Sequence, residues 1–313
     1  MRRIILLATG ALALLAATAG PVGAGGHGHA ASTGVCVESS AFSSLSALTA
    51  TSPTAKGWNR DAPARLNVGD SDYDSGQAPN VPAGFTVTIP TYIHVITDGS
   101  LGRVTNAQIR RQMDVLNLSF AGFYGGANTG VSFDLVGVTR TDNADWFTMN
   151  SFADEVAAKT ALRQGGPNAL NIYTGTAAGN LGFAYYPSIL GYQGGKYAML
   201  DGAVIHYGSL PGGDIDRFNL GFTATHEVGH WFGLAHTFDQ GCNGDGDRVD
   251  DTPAMLVPTS GCPEGKDTCV KEAGLDPIHN YMDYSDDPCY NQFTPGQAAR
   301  AQAQYIHYRT GRY

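Results

Sequence analysis

Residues 225–238 read THEVGHWFGLAHTF, and His226, Glu227, His230, Gly233 and His236 fall there in the pattern H-E-x-x-H-x-x-G-x-x-H. Residues four apart on an α-helix lie almost above one another, so His226 and His230 present both imidazoles on one helix face and can share an ion. Gly233 can take the left-handed conformation that ends a helix, after which the reversed chain can bring His236 to the same point. Three neutral nitrogens leave the fourth tetrahedral position of a zinc ion open, which marks a catalytic rather than a structural site. A water on such an ion has its pKa lowered from ~15.7 to ~7. Glu227, beside the first histidine, is placed to take that proton while the oxygen attacks a carbonyl, and then to hand it to a leaving amine. Chance would produce these five positions in a chain of this composition with a probability on the order of 10⁻⁵.

Further along, residues 279–287 read HNYMDYSDD, and Met282, at this distance after the third histidine, resembles the Met-turn, in which a methionine forms an apolar floor beneath zinc imidazoles. Between the two segments lies DQGCNGDGDRVDDTP, with Asp239, Asp245, Asp247, Asp250 and Asp251 close together among glycines. Clustered oxygen donors of this kind suit calcium. The loop is not an EF-hand: counting from Asn243, Arg248 stands where the invariant glycine belongs, and no glutamate closes the loop at Ala254. Cys242, Cys262, Cys269 and Cys289 fall in the same region and allow three pairings that sequence cannot rank, while Cys36 stands alone near the start.

These groups need a scaffold. Phe85, Val87 and Ile89 alternate, and Tyr92, Ile93, Val95 and Ile96 continue the β-branched and aromatic pattern, so a strand is expected from Phe85 to Ile96 with a break at Pro90. Thr105 and Gln108 form a capping box. Ile109, Met113, Leu116 and Phe120 then recur at helical spacing, so an amphipathic helix is expected up to Phe120. Strands are expected at Ser132–Thr139, Ala169–Thr174 and Gly202–Tyr207, the last just before the histidine segment. His94 and His206 lie in these strands and read as structural.

The chain has 313 residues, of which 42% are hydrophobic and 15% charged, a globular composition that can bury a core. Its formal charge of -9, with no basic cluster interleaved with aromatics, argues against a nucleic-acid partner. Met1-Arg2-Arg3, the apolar run Ile4–Ala19 and small residues up to Ala24 read as a secretory signal over 1–24, and no later run reaches membrane-spanning length. The product is therefore expected to be exported, free of the membrane and monomeric. Residues 25–81 read as a pro-segment or linker, and 82–313 as the catalytic domain.

On the long histidine motif and NYMDYSDD, with weaker likenesses in LNIYT, LGFAYYP and DGAVIHYGSLPGG, the chain from about Thr86 resembles the pappalysin family of metzincin metalloendopeptidases. The resemblance implies an α+β fold: a twisted mixed sheet with a backing helix and an active-site helix, above a looser, disulfide-braced C-terminal subdomain. It implies a secreted zinc endopeptidase acting on protein or peptide substrates, bound in extended form along an edge strand, for which Gly202–Tyr207 is the candidate. It gives Tyr284 the role of hydrogen-bonding the tetrahedral intermediate, the acidic loop a calcium ion, and the cysteines the pairs Cys242–Cys269 and Cys262–Cys289. Asp286 and Asp287, after the Met-turn, would wall the pocket for the residue following the scissile bond and favour Arg or Lys. Cys36 would hold the zinc of the precursor silent. The competing readings are a catalytically inactive secreted adhesion or metal-binding protein of the same fold, and a zinc hydrolase using Glu264 or Glu272 as third ligand. Both fit poorly with an intact motif in which His236 already fills that place.

Overall fold

In the computed structural model, which describes residues 80–243 and 246–311, the chain enters its sheet through β1 (Val87–Thr97). The leader over 1–24, nearly all of the segment 25–81, Cys36 and Asp245 lie outside the described residues. Strands β2 (Val131–Asp142), β3 (Leu170–Gly175), β4 (Gly182–Ala184) and β5 (Ala203–His206) complete a five-stranded sheet of order β2-β1-β3-β5-β4. All neighbours are parallel except β4, which runs antiparallel to β5. Pro90 does not break β1: it lies before Thr91, where pairing with β3 begins, and a residue without an N–H is tolerated where a strand has one neighbour. The irregularity falls one residue later, as a register shift against β2 between Thr91 and Tyr92.

Alternation along the strands builds two cores. On one face Ile89, Ile93, Ile172 and Ile205 pack with Ile109, Met113, Leu116 and Phe120 of α1 (Asn106–Phe120). Val228 and Trp231 of α4 (Phe222–Trp231) join the same core, so α1 backs the helix that carries the histidine motif. Thr105 caps α1 as its sequence requires, its hydroxyl accepting from the Gln108 N–H at 3.2 Å. On the other face Tyr173, Phe183 and Val204 pack with Phe147 of α2 (Ala144–Thr148) and Ala158 of α3 (Phe152–Leu162).

After α4 the chain has little regular structure until α5 (Pro295–Arg309), and the two disulfides, Cys242–Cys269 and Cys262–Cys289, cross this stretch. Helix α5 returns beneath α4, where the Arg309 guanidinium lies 3.4 Å from the Trp231 ring centroid.

A second expectation is also overturned. Strand β5 is not the edge of the sheet, because the short segment Gly182–Ala184 pairs with it and becomes the edge itself. Three residues carry too little periodicity to read as a strand, and only pairing with β5 defines β4.

Candidate active site

Helix α4 is buried along its whole length and starts without a side-chain cap of its own, since its N-cap is Gly221. Asp287 substitutes from far along the chain, its carboxylate accepting from the N–H groups of Leu220, at 2.8 Å, Gly221 and Phe222 at the helix start. Burial pushes the Asp287 carboxyl up to about 7.

The C-terminal end of α4 is set by Gly233, which takes φ 85°. The Gly233 N–H donates to the His230 carbonyl at 2.8 Å and the Leu234 N–H to the Gly229 carbonyl at 3.0 Å, a Schellman motif that turns the chain back. His236 is thereby delivered beside the helix.

The three Nε2 atoms form a triangle, 3.0 Å from His226 to His230, 3.0 Å from His226 to His236 and 3.2 Å from His230 to His236. Tetrahedral zinc with bonds of about 2.0–2.1 Å sets its ligand nitrogens about 3.3 Å apart, so the triangle fits such an ion. The tautomers agree with that use. His226 Nδ1 donates to the Tyr281 carbonyl at 2.6 Å and His230 Nδ1 to the Leu234 carbonyl at 2.7 Å, which turns both Nε2 lone pairs toward the common point. Burial holds all three imidazoles well below their ordinary pKa, hence neutral.

Met282 is fully buried beneath α4, so close to Gly229 that a Cβ there would meet its sulfur at 2.4 Å. Tyr284 stands edge-on to His236 at 4.7 Å between ring centroids, and Phe238 stacks on the same imidazole at 4.4 Å. Tyr186, which follows β4, packs edge-on to His230 at 5.6 Å. Glu227 is buried with its side chain against Gly182 of the edge strand. Sequence reasoning missed Gly182, Tyr186, Phe238 and the capping role of Asp287. Only Gly182 carried a signal, as an isolated glycine between Leu181 and Phe183, the mark of a close approach in a strand.

Two further expectations change. Asp286 is not an open carboxylate: it is held in a two-pronged pair by Arg217, with Nε at 2.5 Å from Oδ2, which lowers its pKa. With Asp287 committed to α4, neither acid offers free charge to a basic substrate side chain.

The carboxylates of Asp239, Asp247, Asp250 and Asp251 do not converge. Among the described residues only His226/His230/His236 and Cys262/His279/Cys289 bring three metal-competent side chains together, and the second trio contains a disulfide. Asp251 is drawn away to accept from the Gly296 N–H at 2.8 Å at the start of α5, and Asp250 is exposed. Asp247 is buried, accepts from the Val249 N–H at 3.1 Å, and is pushed up to about 7 by burial.

A mixed sheet with an antiparallel edge strand beside a buried helix of paired imidazoles defines a metalloprotease of the metzincin kind. Residues 169–305 match the M43 peptidase family described as Pregnancy-associated plasma protein-A. The chain is 48% identical over 231 residues to an extracellular metalloprotease of Pyricularia oryzae, covering 72% of this chain and 77% of that one. It is 46% identical over 250 residues to one of Arthroderma benhamiae, covering 78% and 79%. Among solved structures, mature mirolysin of Tannerella forsythia in complex with a cleaved peptide is 30% identical with a TM-score of 0.59, over 71% of this chain and 92% of that chain. A promirolysin mutant from the same organism gives 25% and 0.67, over 87% and 93%. The chain belongs to the M43 peptidase family, the pappalysins. It is an extracellular zinc metalloendopeptidase acting on peptides, and nothing in these likenesses favours an inactive adhesion protein. Among the described residues no helix is long and apolar enough to cross a membrane.

Proposed function

We propose that His226, His230 and His236 hold the zinc and that Glu227 is the general base and then the general acid of peptide-bond hydrolysis. The observation that carries this is the triangle of Nε2 atoms, 3.0–3.2 Å on a side, on the helix where Glu227, the residue after His226, is buried against the edge strand. Bound zinc supplies the positive charge that acidifies a water and polarises the scissile carbonyl. Glu227 accepts a proton from the attacking water and returns it to the departing nitrogen, so that one carboxylate serves both steps. Tyr284 donates its hydroxyl proton in a hydrogen bond to the oxygen that gains charge. Edge strand β4 offers its outer side to an extended substrate, which would add to the sheet as a further strand.

Around this centre the same reading makes 1–24 a signal peptide and 25–81 a removable pro-segment, with 82–313 as the catalytic domain. Cys36 occupies the zinc of the precursor. The enzyme acts as a monomer, apart from nucleic acid and membranes. Of the loop's described acids only Asp239 and the buried Asp247 stay near enough for one charge to act on the other, so these two, and not the whole acidic run, would hold a calcium ion.

The test compares Glu227→Ala, His230→Ala and Tyr284→Phe by metal content and by turnover of a fluorogenic peptide. Glu227→Ala keeps one zinc and loses nearly all turnover, His230→Ala loses both, and Tyr284→Phe keeps zinc while kcat drops about 10²-fold. Turnover that survives Glu227→Ala or a chelator defeats the assignment.

A further inference from the structure

Gly182 has no backbone reason to be glycine, for it is not among the residues with positive φ and it pairs regularly with Ile205. Its reason lies in space. A Cβ at 182 would stand 2.7 Å from Glu227 Cγ, 2.7 Å from Oε1 and 3.0 Å from Cδ, so the three nearest atoms all belong to one side chain. Contacts that short force something to move.

The strand is not free to retreat. Phe183 and Tyr185 point to the other face, where the Lys159 ammonium lies 5.3 Å and 4.7 Å from their ring centroids. The Tyr185 hydroxyl donates to Glu155 Oε2 at 2.9 Å, and Glu155 pairs with Lys159 at 2.6 Å, both fully buried. Helix α4 is braced on its far side by Met282 against Gly229. What remains able to shift is the Glu227 carboxylate.

We propose that Gly182 is a positioning residue of the reaction: the missing side chain on the edge strand makes the slot that holds the Glu227 carboxylate in place for proton transfer. This rests on the reading of Glu227 as the base. Misplacing a reacting group by about 1 Å can cost on the order of 10²-fold in rate.

The experiment takes Gly182→Ala in the full secreted, zinc-loaded enzyme and, in parallel, in a Glu227→Ala background. In the active background zinc content stays at one per chain and KM stays within about threefold, while kcat falls about 30- to 100-fold. The acid limb of the kcat/KM profile also moves, which a purely structural lesion would not cause. Thermal unfolding provides a readout independent of turnover. Gly182→Ala lowers Tm by several degrees when Glu227 is present and leaves it unchanged when Glu227→Ala has removed all three atoms that the new methyl would strike. If Gly182→Ala fails to fold with Glu227 present, recovery in the Glu227→Ala background supports the slot, and failure in both overturns it. Equal Tm losses in both backgrounds, or wild-type kcat with an unmoved acid limb, also overturn it. Should Glu227→Ala retain turnover while the Tm coupling persists, the reading of Glu227 as base fails, and the positioning role falls with it although the close packing stands.

Discussion

Breaking the buried ion pair behind the active-site helix should loosen the enzyme more than any surface change. Arg309 meets Asp201 through two bonds, Nη2 to Oδ1 at 3.0 Å and Nη1 to Oδ2 at 3.1 Å, with both side chains fully buried. The same guanidinium donates to the Trp231 carbonyl at 2.8 Å at the end of α4 and to the Pro167 carbonyl at 2.9 Å. Asp201→Ala leaves that cation without a counter-charge, with Arg163 as a like-charged neighbour. Removing one partner of such a pair costs about 3–5 kcal/mol, a large part of the 5–15 kcal/mol that holds a typical domain together. Arg309→Met is expected to cost less, about 2 kcal/mol, because Asp201 keeps Arg163 at 3.4 Å. The double variant has no buried charge left from this pair, so its loss should fall short of the sum by about 2 kcal/mol. Urea unfolding in saturating zinc measures all four corners of the cycle. Additivity within about 0.5 kcal/mol, or a cost below about 1 kcal/mol for Asp201→Ala, would refute the reasoning.

Asp287 makes stability depend on pH. Its carboxyl is raised by burial in the folded state to about 7 from its ordinary value of 3.8, so its stabilising contribution is full below about pH 4 and is lost as pH rises through 7. Asp287→Asn should therefore flatten the fall in urea midpoint between pH 5.5 and 8 with zinc in excess, and an unchanged slope would contradict it. Asp247, raised likewise, must lose its proton before it can ligate calcium, so calcium should raise Tm more at pH 8 than at pH 5.5. No calcium response at either pH removes that site. Cys36→Ala in the precursor should release activity before processing, and a variant precursor as silent as the wild type would show that the thiol is not the latch.

The convergence of the three histidines was legible because its geometry is local. Spacings of four and six residues on one helix and its reversing turn fix where His226, His230 and His236 lie, and Gly233 takes the left-handed turn its position demands. Helix α1 was legible down to its capping box, since a cap and its partner are three residues apart. Four of the five strands were found to within a few residues at each end, but β4 was not, nor was their order.

Contacts between distant parts of the chain could be set only by packing. The edge is β4, Asp287 caps the start of α4 across more than sixty residues of chain, and Arg217 neutralises Asp286 from 69 residues away. The five acids of the loop read as one site because they are neighbours in sequence, yet the fold sends Asp251 to α5 and Asp250 to solvent. A carboxylate looks the same in sequence whether it lines a pocket, caps a helix or answers an arginine. Its partner is chosen by packing, because an unpaired buried charge costs more than the local pattern can set against it. Spacings that a helix makes rigid carried the candidate chemistry on their own. The packing of sheet, helix and loop decided which remaining groups face that chemistry, down to the glycine at 182 that leaves room for Glu227.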